Sequence, residues 1–272
     1  MTPHVEGLSQ QAADGTAYDV LGPDNAPVIV LIHGLGLCRR LWDQHLPAFT
    51  QNYRVINYDL YGHGDSAPPP SKASLKVYAE QIVRLMDALG CDKASLVGFS
   101  IGGMINRRFA LDCPDRLSAL AILNSPHDRG AEAQKLVEER ALKVDGGGAM
   151  ATMDNALERW FTPEFRAPQP DALDLVQAWR GQVDAESYAQ AAWVLAAGVK
   201  ELIRPVYPIS APSLVMTCEN DSGSTPDMSV EIAKEIPNAE TIIVPHLQHL
   251  GLMEDPDAFT HPVLDFLERK LA

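Results

Sequence analysis

The sequence predicts an α/β chain: a mostly parallel central sheet flanked by helices and interrupted once by a helical insertion. Three observations carry that expectation. Short β-branched and apolar runs alternate with helical patterns, the order that lays parallel strands beneath crossover helices. The run Ala94 to Phe99 drives into Gly98-Phe99-Ser100-Ile101-Gly102, a serine fenced by glycines where a strand gives way to a helix. After Asn124-Ser125-Pro126 the alternation stops, and it resumes only at Pro212. On this reading residues 1–126 and 209–272 are two parts of one core, and residues 127–208 are the helical insertion.

Residues 4–21 read as weak strands that turn at Asp14-Gly15. Val28-Ile29-Val30-Leu31-Ile32 is a continuous apolar run of the kind buried on both faces of a parallel sheet. It ends at His33-Gly34-Leu35-Gly36. A helix is expected over 38–50, with Trp42 and Leu46 at helical spacing, and a strand over 54–58. Asp59-Leu60-Tyr61-Gly62-His63-Gly64-Asp65-Ser66 then makes a glycine-punctuated turn. Residues 74–90 form an amphipathic helix with Leu75, Tyr78, Ile82, Leu85, Met86 and Leu89 on one face, stopped by Gly90. The serine-bearing strand follows, then a helix over 101–112 and a strand over 117–123.

The insertion carries helix-like stretches, a glycine hinge at Gly146-Gly147-Gly148, and Trp160, Trp179 and Trp193. Beyond it come a strand over 213–218, a helix over 228–236, a strand over 240–244 and a final amphipathic helix over 257–271.

Composition narrows the function classes. The 272 residues are 46% hydrophobic and 21% charged, enough for one large unit with a substantial core. A net charge of −14, spread without long acidic runs, argues against a nucleic-acid partner. It also disfavours anionic substrates unless local arginines counter it. Cys38, Cys91, Cys113 and Cys218 form no C-x-x-C pair and no metal-ligand spacing, so reduced thiols and no metal are expected. Met1 to Gln11 shows no basic stretch leading into an apolar core, and the run from Val28 is too short to span a bilayer. The expectation is a cytoplasmic chain without membrane association, monomeric or homodimeric.

Ser100 is the candidate nucleophile. A strained strand-to-helix turn lifts its hydroxyl above the sheet edge and sets it at a helix N-terminus, where free N–H groups favour developing negative charge. A serine needs a base to take its proton and a carboxylate to orient that base. In a parallel sheet such groups gather at the carboxyl ends of strands. Asp221 follows one strand, with Glu219 and Asp128 as rivals, and His249 follows the last, with His246 as rival. His33 and His63 sit in glycine turns where structural hydrogen bonds are expected; His4, His45 and His261 default to surface roles. His127 opens the insertion and is a candidate cleft residue. The N–H groups of Leu35 and Ile101 are the candidate oxyanion donors. Gly34 and Gly36 let that loop bring its backbone close to a substrate.

The chain resembles an α/β-hydrolase-fold protein over essentially its whole length. The matching motifs are His33-Gly34-Leu35-Gly36, Asp59-x-x-Gly62-His63-Gly64-x-Ser66, Gly98-Phe99-Ser100-Ile101-Gly102-Gly103, Asp221-x-x-x-x-Pro226 and His249-x-x-x-x-Glu254-x-Pro256. The last motif favours His249 over His246, because Glu254 and Pro256 stand at the right spacing from it. A glycine usually precedes that histidine, and here Gln248 does. A serine nucleophile instead of an aspartate makes dehalogenase or epoxide hydrolase chemistry unexpected.

Within the fold the chain is most similar to the 3-oxoadipate enol-lactonase branch, on Gly102-Gly103-Met104, Cys113-Pro114-Asp115-Arg116-Leu117 and Arg159-Trp160-Phe161-Thr162-Pro163. The resemblance implies a cofactor-free serine hydrolase that cleaves a small ester or lactone through an acyl-enzyme under a helical cap. A carboxylate-bearing lactone needs a cation in that cap, and Arg129, Arg159 and Arg180 are the candidates, with Trp160 as a pocket or core residue. A general carboxylesterase, a carbon–carbon hydrolase of ring-fission products and a small-molecule receptor are the competing expectations.

Overall fold

The structure is a computed structural model, and it describes residues 9–143, 150, 153–168 and 170–271. Its strands are β1 (Gln10–Gln11), β2 (Ala17–Leu21), β3 (Val28–Ile32), β4 (Arg54–Tyr58), β5 (Ala94–Phe99), β6 (Leu117–Leu123), β7 (Ser213–Cys218) and β8 (Glu240–Val244). They form one sheet in the order β1-β2-β4-β3-β5-β6-β7-β8. The first two strands make an antiparallel hairpin, β2 pairs antiparallel with β4, and every later pairing is parallel. The hairpin turns at Gly15, whose φ is +82°, as expected from Asp14-Gly15; residues 4–8 lie outside the described residues.

The helices are α1 (Leu46–Asn52), α2 (Leu75–Ala88), α3 (Ile101–Asp112), α4 (Ala131–Lys143), α5 (Met153–Trp160), α6 (Pro163–Arg166), α7 (Pro170–Gly181), α8 (Ala185–Ala197), α9 (Pro226–Glu235), α10 (Gly251–Glu254) and α11 (Asp257–Leu271). Helices α4 to α8 all fall between β6 and β7. The glycine run Gly146-Gly147-Gly148 lies outside the described residues.

Alternate residues of the central strands feed two cores, as a two-residue period requires. Val30, Ile32, Ile56, Leu96 and Ile122 pack on one face with Tyr78, Ile82 and Leu85 of α2 and Ile105 and Phe109 of α3. Ile29, Leu31, Val55, Val97 and Ala121 pack on the other with Phe49 of α1 and Phe259, Val263 and Phe266 of α11. Strands β5 and β7 are buried at every position, which accounts for their mostly apolar make-up and for the absence of charged residues in them. Helix α2 begins where the Ser74 hydroxyl accepts the Val77 N–H at 3.2 Å, and it ends before Gly90 at φ +65°.

One expected helix is two pieces. The stretch 38–50 splits into a 3₁₀ turn at Arg39–Trp42 and the short α1, because Pro47 has no N–H and its ring would collide with the Asp43 carbonyl inside a continuous helix. The chain restarts with Pro47 in the first turn of α1. Helix α9 starts two residues earlier than expected, at Pro226, behind a Thr225 cap.

Candidate active site

Ser100 stands between the last residue of β5 and the first of α3, at φ 57° and ψ −116°. That backbone region is rarely populated by a non-glycine residue and is held here by the packing around it. A Cβ on Gly98 would lie 2.2 Å from the Gly102 carbonyl oxygen, and one on Gly102 would lie 2.4 Å from the Ile32 carbonyl oxygen. The glycine spacing is therefore the condition for β5, β3 and α3 to meet at the turn. The Ser100 N–H donates to the Leu123 carbonyl at 2.8 Å, fixing the turn to β6.

Asp221 follows β7 and His249 follows β8. The Ser100 Oγ lies 3.2 Å from His249 Nε2, and His249 Nδ1 lies 2.6 Å from Asp221 Oδ2. Four donors converge on the Asp221 carboxylate. Gly223 and Ser224 N–H groups donate to Oδ1 at 2.8 and 2.9 Å, and the Asn124 amide joins His249 on Oδ2 at 2.9 Å. Burial works to raise the Asp221 pKa, but His249, Asn124 and the backbone donors outweigh it and hold the carboxyl below the ordinary range. The rivals are engaged elsewhere. Glu219 accepts the His246 N–H at 2.9 Å, Asp128 accepts the Gly130 N–H at 2.9 Å, and the His246 side chain is 91% exposed.

The His33 loop is braced from below. Leu60 N–H donates to His33 Nε2 at 2.9 Å, and His33 Nδ1 meets the Gly34 carbonyl at 2.8 Å, so the imidazole is a neutral structural strut. His63 is buried against it and bonds to the Tyr61 carbonyl at 3.1 Å. Asp59 anchors the turn by accepting from the Arg39 backbone at 2.6 Å, the Arg39 guanidinium and the Asp65 N–H at 3.0 Å.

A pocket of about 400 Å³ opens over Ser100. Gly34, Leu35, Phe99, Asp221 and His249 line it from the sheet side, and Arg129, Arg140, Arg159, Trp160, Arg180 and Tyr188 from the helices between β6 and β7. Ile101 is buried as the first residue of α3, beside Ser100. Arg129 is drawn towards the Gln134 side chain and the carbonyls of Leu195 and Ala196, at 3.2 to 3.5 Å. Arg180 is buried, with its guanidinium carbon 5.4 Å from the Trp160 ring centre and 5.0 Å from that of Tyr188. Burial lowers the pKa of both, that of Arg129 to about 10, which leaves Arg129 charged at neutral pH.

Two expectations are corrected. His127 does not line the pocket: its ring turns away to place Nε2 3.2 Å from Glu235 Oε1 at the end of α9, and burial lowers its pKa. His45 is not a surface residue. The break before α1 turns it inward, and it is 1% exposed with Nδ1 donating to the Thr260 hydroxyl at 2.7 Å. His261 is exposed, and His4 lies outside the described residues.

Asn124, Arg140 and Tyr188 were not reached by sequence reasoning. The position of Asn124 at the carboxyl end of β6 was the signal that marked it; nothing local distinguishes the other two. Among the described residues no group of three or more His, Cys, Asp or Glu side chains could hold a metal ion, and no helix is long and apolar enough to cross a membrane.

The sheet order, the serine turn and the two strand-end partners define an α/β hydrolase. Residues 29–261 match the model of the alpha/beta hydrolase family, and the chain belongs to that family. It is 29% identical over 253 residues to 3-oxoadipate enol-lactonase 2 of Acinetobacter baylyi, covering 93% of this chain and 92% of that one. It is 26% identical over 240 residues to the (E)-2-((N-methylformamido)methylene)succinate hydrolase of the same organism, covering 88% and 90%. The crystal structure of the enol-lactonase from Burkholderia xenovorans LB400 superposes with a TM-score of 0.85 at 30% identity, covering 93% of this chain and 96% of that one.

Proposed function

We propose that the chain is a serine hydrolase of carboxylic esters or lactones, most like a 3-oxoadipate enol-lactonase, and that the helices between β6 and β7 act as its cap. The observation that carries this reading is the unbroken line Ser100–His249–Asp221, 3.2 and 2.6 Å long, at the floor of the pocket. Ser100 Oγ attacks the carbonyl carbon while His249 Nε2 takes its proton, and Asp221 holds the imidazole in the tautomer that can accept it. Leu35 and Ile101 N–H groups bind the oxyanion, each donor contributing about 3 kcal/mol in the transition state. The C–O bond to the leaving oxygen then breaks, and His249 returns the proton to that oxygen. Water, activated by His249, cleaves the Ser100 ester and regenerates the hydroxyl.

The pocket's charge supports an acidic substrate. Among the described residues four arginines line it with a single carboxylate, Asp221, which is committed to His249, whereas the whole chain carries a net charge of −14. A substrate carboxylate beside Arg129 or Arg180 offsets part of the desolvation those cations bear. The similarity to 3-oxoadipate enol-lactonases points the same way.

The test is a rate panel for the wild type and Ser100→Ala. It holds 3-oxoadipate enol-lactone, neutral lactones, aryl esters with and without a distal carboxylate, and a carbon–carbon ring-fission product. The expected result is that the carboxylate-bearing lactone leads and that Ser100→Ala loses roughly 10⁴-fold or more in kcat. Neutral aryl esters in the lead would make the chain a general carboxylesterase. Ligand binding without turnover would make it a receptor.

A further inference from the structure

Glu254 and Thr162 belong to two sequence motifs that the acyl-transfer chemistry does not use, and they meet. Thr162 lies in the short connection from α5 to α6. Its N–H donates to Glu254 Oε1 at 2.9 Å and its hydroxyl to Oε2 at 2.6 Å. The same hydroxyl accepts the Phe165 N–H at 3.2 Å and so caps α6. Two residues earlier, the Trp160 carbonyl accepts the Leu250 N–H at 2.8 Å, and Leu250 directly follows His249. Phe161, between these attachments, is fully buried in the core that holds Leu250, Leu252 and Phe259.

Residues 160–162 thus run beside 250–254 with a hydrogen bond at one end, a carboxylate fork at the other and a buried ring between. The fork is charge-assisted, the stronger kind of hydrogen bond. What it joins is functional on both sides. Trp160 is a wall of the pocket, its ring centre 6.4 Å from that of His249, and His249 touches the reacting serine.

We infer that Glu254 is a positioning residue: by gripping Thr162 it fixes the Trp160 wall against the His249 imidazole, and so selects which acyl groups reach Ser100 in line with the base. The inference rests on the acyl-transfer reading above. A displacement of 1 Å at such a contact is enough to change rates by about two orders of magnitude. The wall that moves here is the one an acyl chain lies against. Acyl-length preference is therefore the property the fork controls.

The experiment compares kcat and KM for p-nitrophenyl acetate, butyrate and hexanoate in the wild type and four variants. Thr162→Ser keeps both donors, Thr162→Val loses the hydroxyl, Glu254→Gln keeps one acceptor, and the Thr162→Val/Glu254→Gln double variant leaves only the backbone N–H facing a neutral amide oxygen. Titration of Ser100 with a fluorophosphonate counts active sites, so misfolded protein drops out of every rate. Thr162→Ser should keep the wild-type hexanoate-to-acetate ratio of kcat/KM. Thr162→Val and Glu254→Gln should each shift it about 5- to 10-fold, with KM changing as well as kcat, and the double variant should shift it no further than the larger single. An unchanged ratio with fewer active sites would reduce Glu254 to a structural anchor and overturn the inference, as would additive shifts in the double variant. A wild type that turns over neither these esters nor the lactones of the panel above, and that the fluorophosphonate does not label, would overturn the acyl-transfer reading itself, and the inference with it; turnover of lactones alone would overturn the inference as a statement about acyl length and leave the acyl-transfer reading standing.

Discussion

Ser100, Asp221 and His249 stand just beyond the ends of β5, β7 and β8, whereas Arg129, Arg140, Trp160 and Arg180 reach the same pocket from the helical stretch between β6 and β7. The first group is placed by backbone: parallel ladders fix the heights of the strand ends, and glycines let the turns close. The second group is placed by side-chain packing on and beside short helices, two of whose leucines, Leu136 and Leu142, are half or more exposed. The difference teaches a division of labour. On the proposed reading, geometry that must be right to tenths of an ångström sits on the sheet, and the contacts that would choose a substrate sit on elements that can be rebuilt without disturbing it.

A matched pair of glycine substitutions tests that contrast at its largest. A Cβ at Gly102 meets the Ile32 carbonyl oxygen at 2.4 Å and the His33 carbonyl oxygen at 2.9 Å, so Gly102→Ala has to push β3 and α3 apart. A Cβ at Gly181, at the end of α7, meets nothing nearer than the Met150 sulfur at 3.9 Å. The expected outcome is a loss of several kcal/mol, or no folded protein, for Gly102→Ala. Gly181→Ala should change stability by less than about 1 kcal/mol, in the stabilising direction. Urea unfolding of both variants is the measurement, and equal losses would dissolve the contrast.

The same division explains what was legible in the sequence. Buried parallel strands need mostly apolar stretches, unbroken in β3, and a tight serine turn needs glycines two residues either side, so β3 to β7 and Ser100 are written locally. Asp221 and His249 are legible because a parallel sheet gathers its chemistry at strand ends. Asn124 reaches Asp221 across 97 residues of chain, and Tyr188 meets Arg180 only because α7 and α8 fold back on each other. Such pairings have no local period. His45 and His127 were misjudged for a related reason: the Pro47 break and the pull of Glu235 decide where those rings point, and both act through tertiary contacts.

Histidines sharpen the comparison next. His33, His45 and His63 are buried in the sheet frame, and burial pushes their pKa values down from 6.5, to about 4, about 4 and about 3. The unfolded chain therefore binds protons that the folded chain refuses. Stability should be complete above about pH 6.5, fall as the pH drops towards 4, and level off below the folded-state values. A shift of this size is worth about 3 kcal/mol per histidine. His45→Gln should flatten the fall by about one proton's slope, read from urea midpoints between pH 7 and 4.

The smallest expected effect lies where the two regions meet. Asn124 closes β6, immediately before the chain leaves for the helices, and its φ of +46° suits asparagine or glycine. Its amide donates to the same Asp221 oxygen that accepts His249, a contact with the acid that orients the base on the proposed reading, not with substrate. Asn124→Gly keeps the backbone conformation and deletes only the donor. A hydrogen bond to a carboxylate contributes about 1.5–3 kcal/mol, and part is recovered here because Gly223, Ser224 and His249 still hold Asp221. The expected loss in kcat/KM is about 10-fold, equal for acetate and hexanoate esters, since the acid is perturbed and the pocket wall is not. An unequal loss would mean that the β6 exit also shapes the pocket, and that the sheet and the helices share the work of selection.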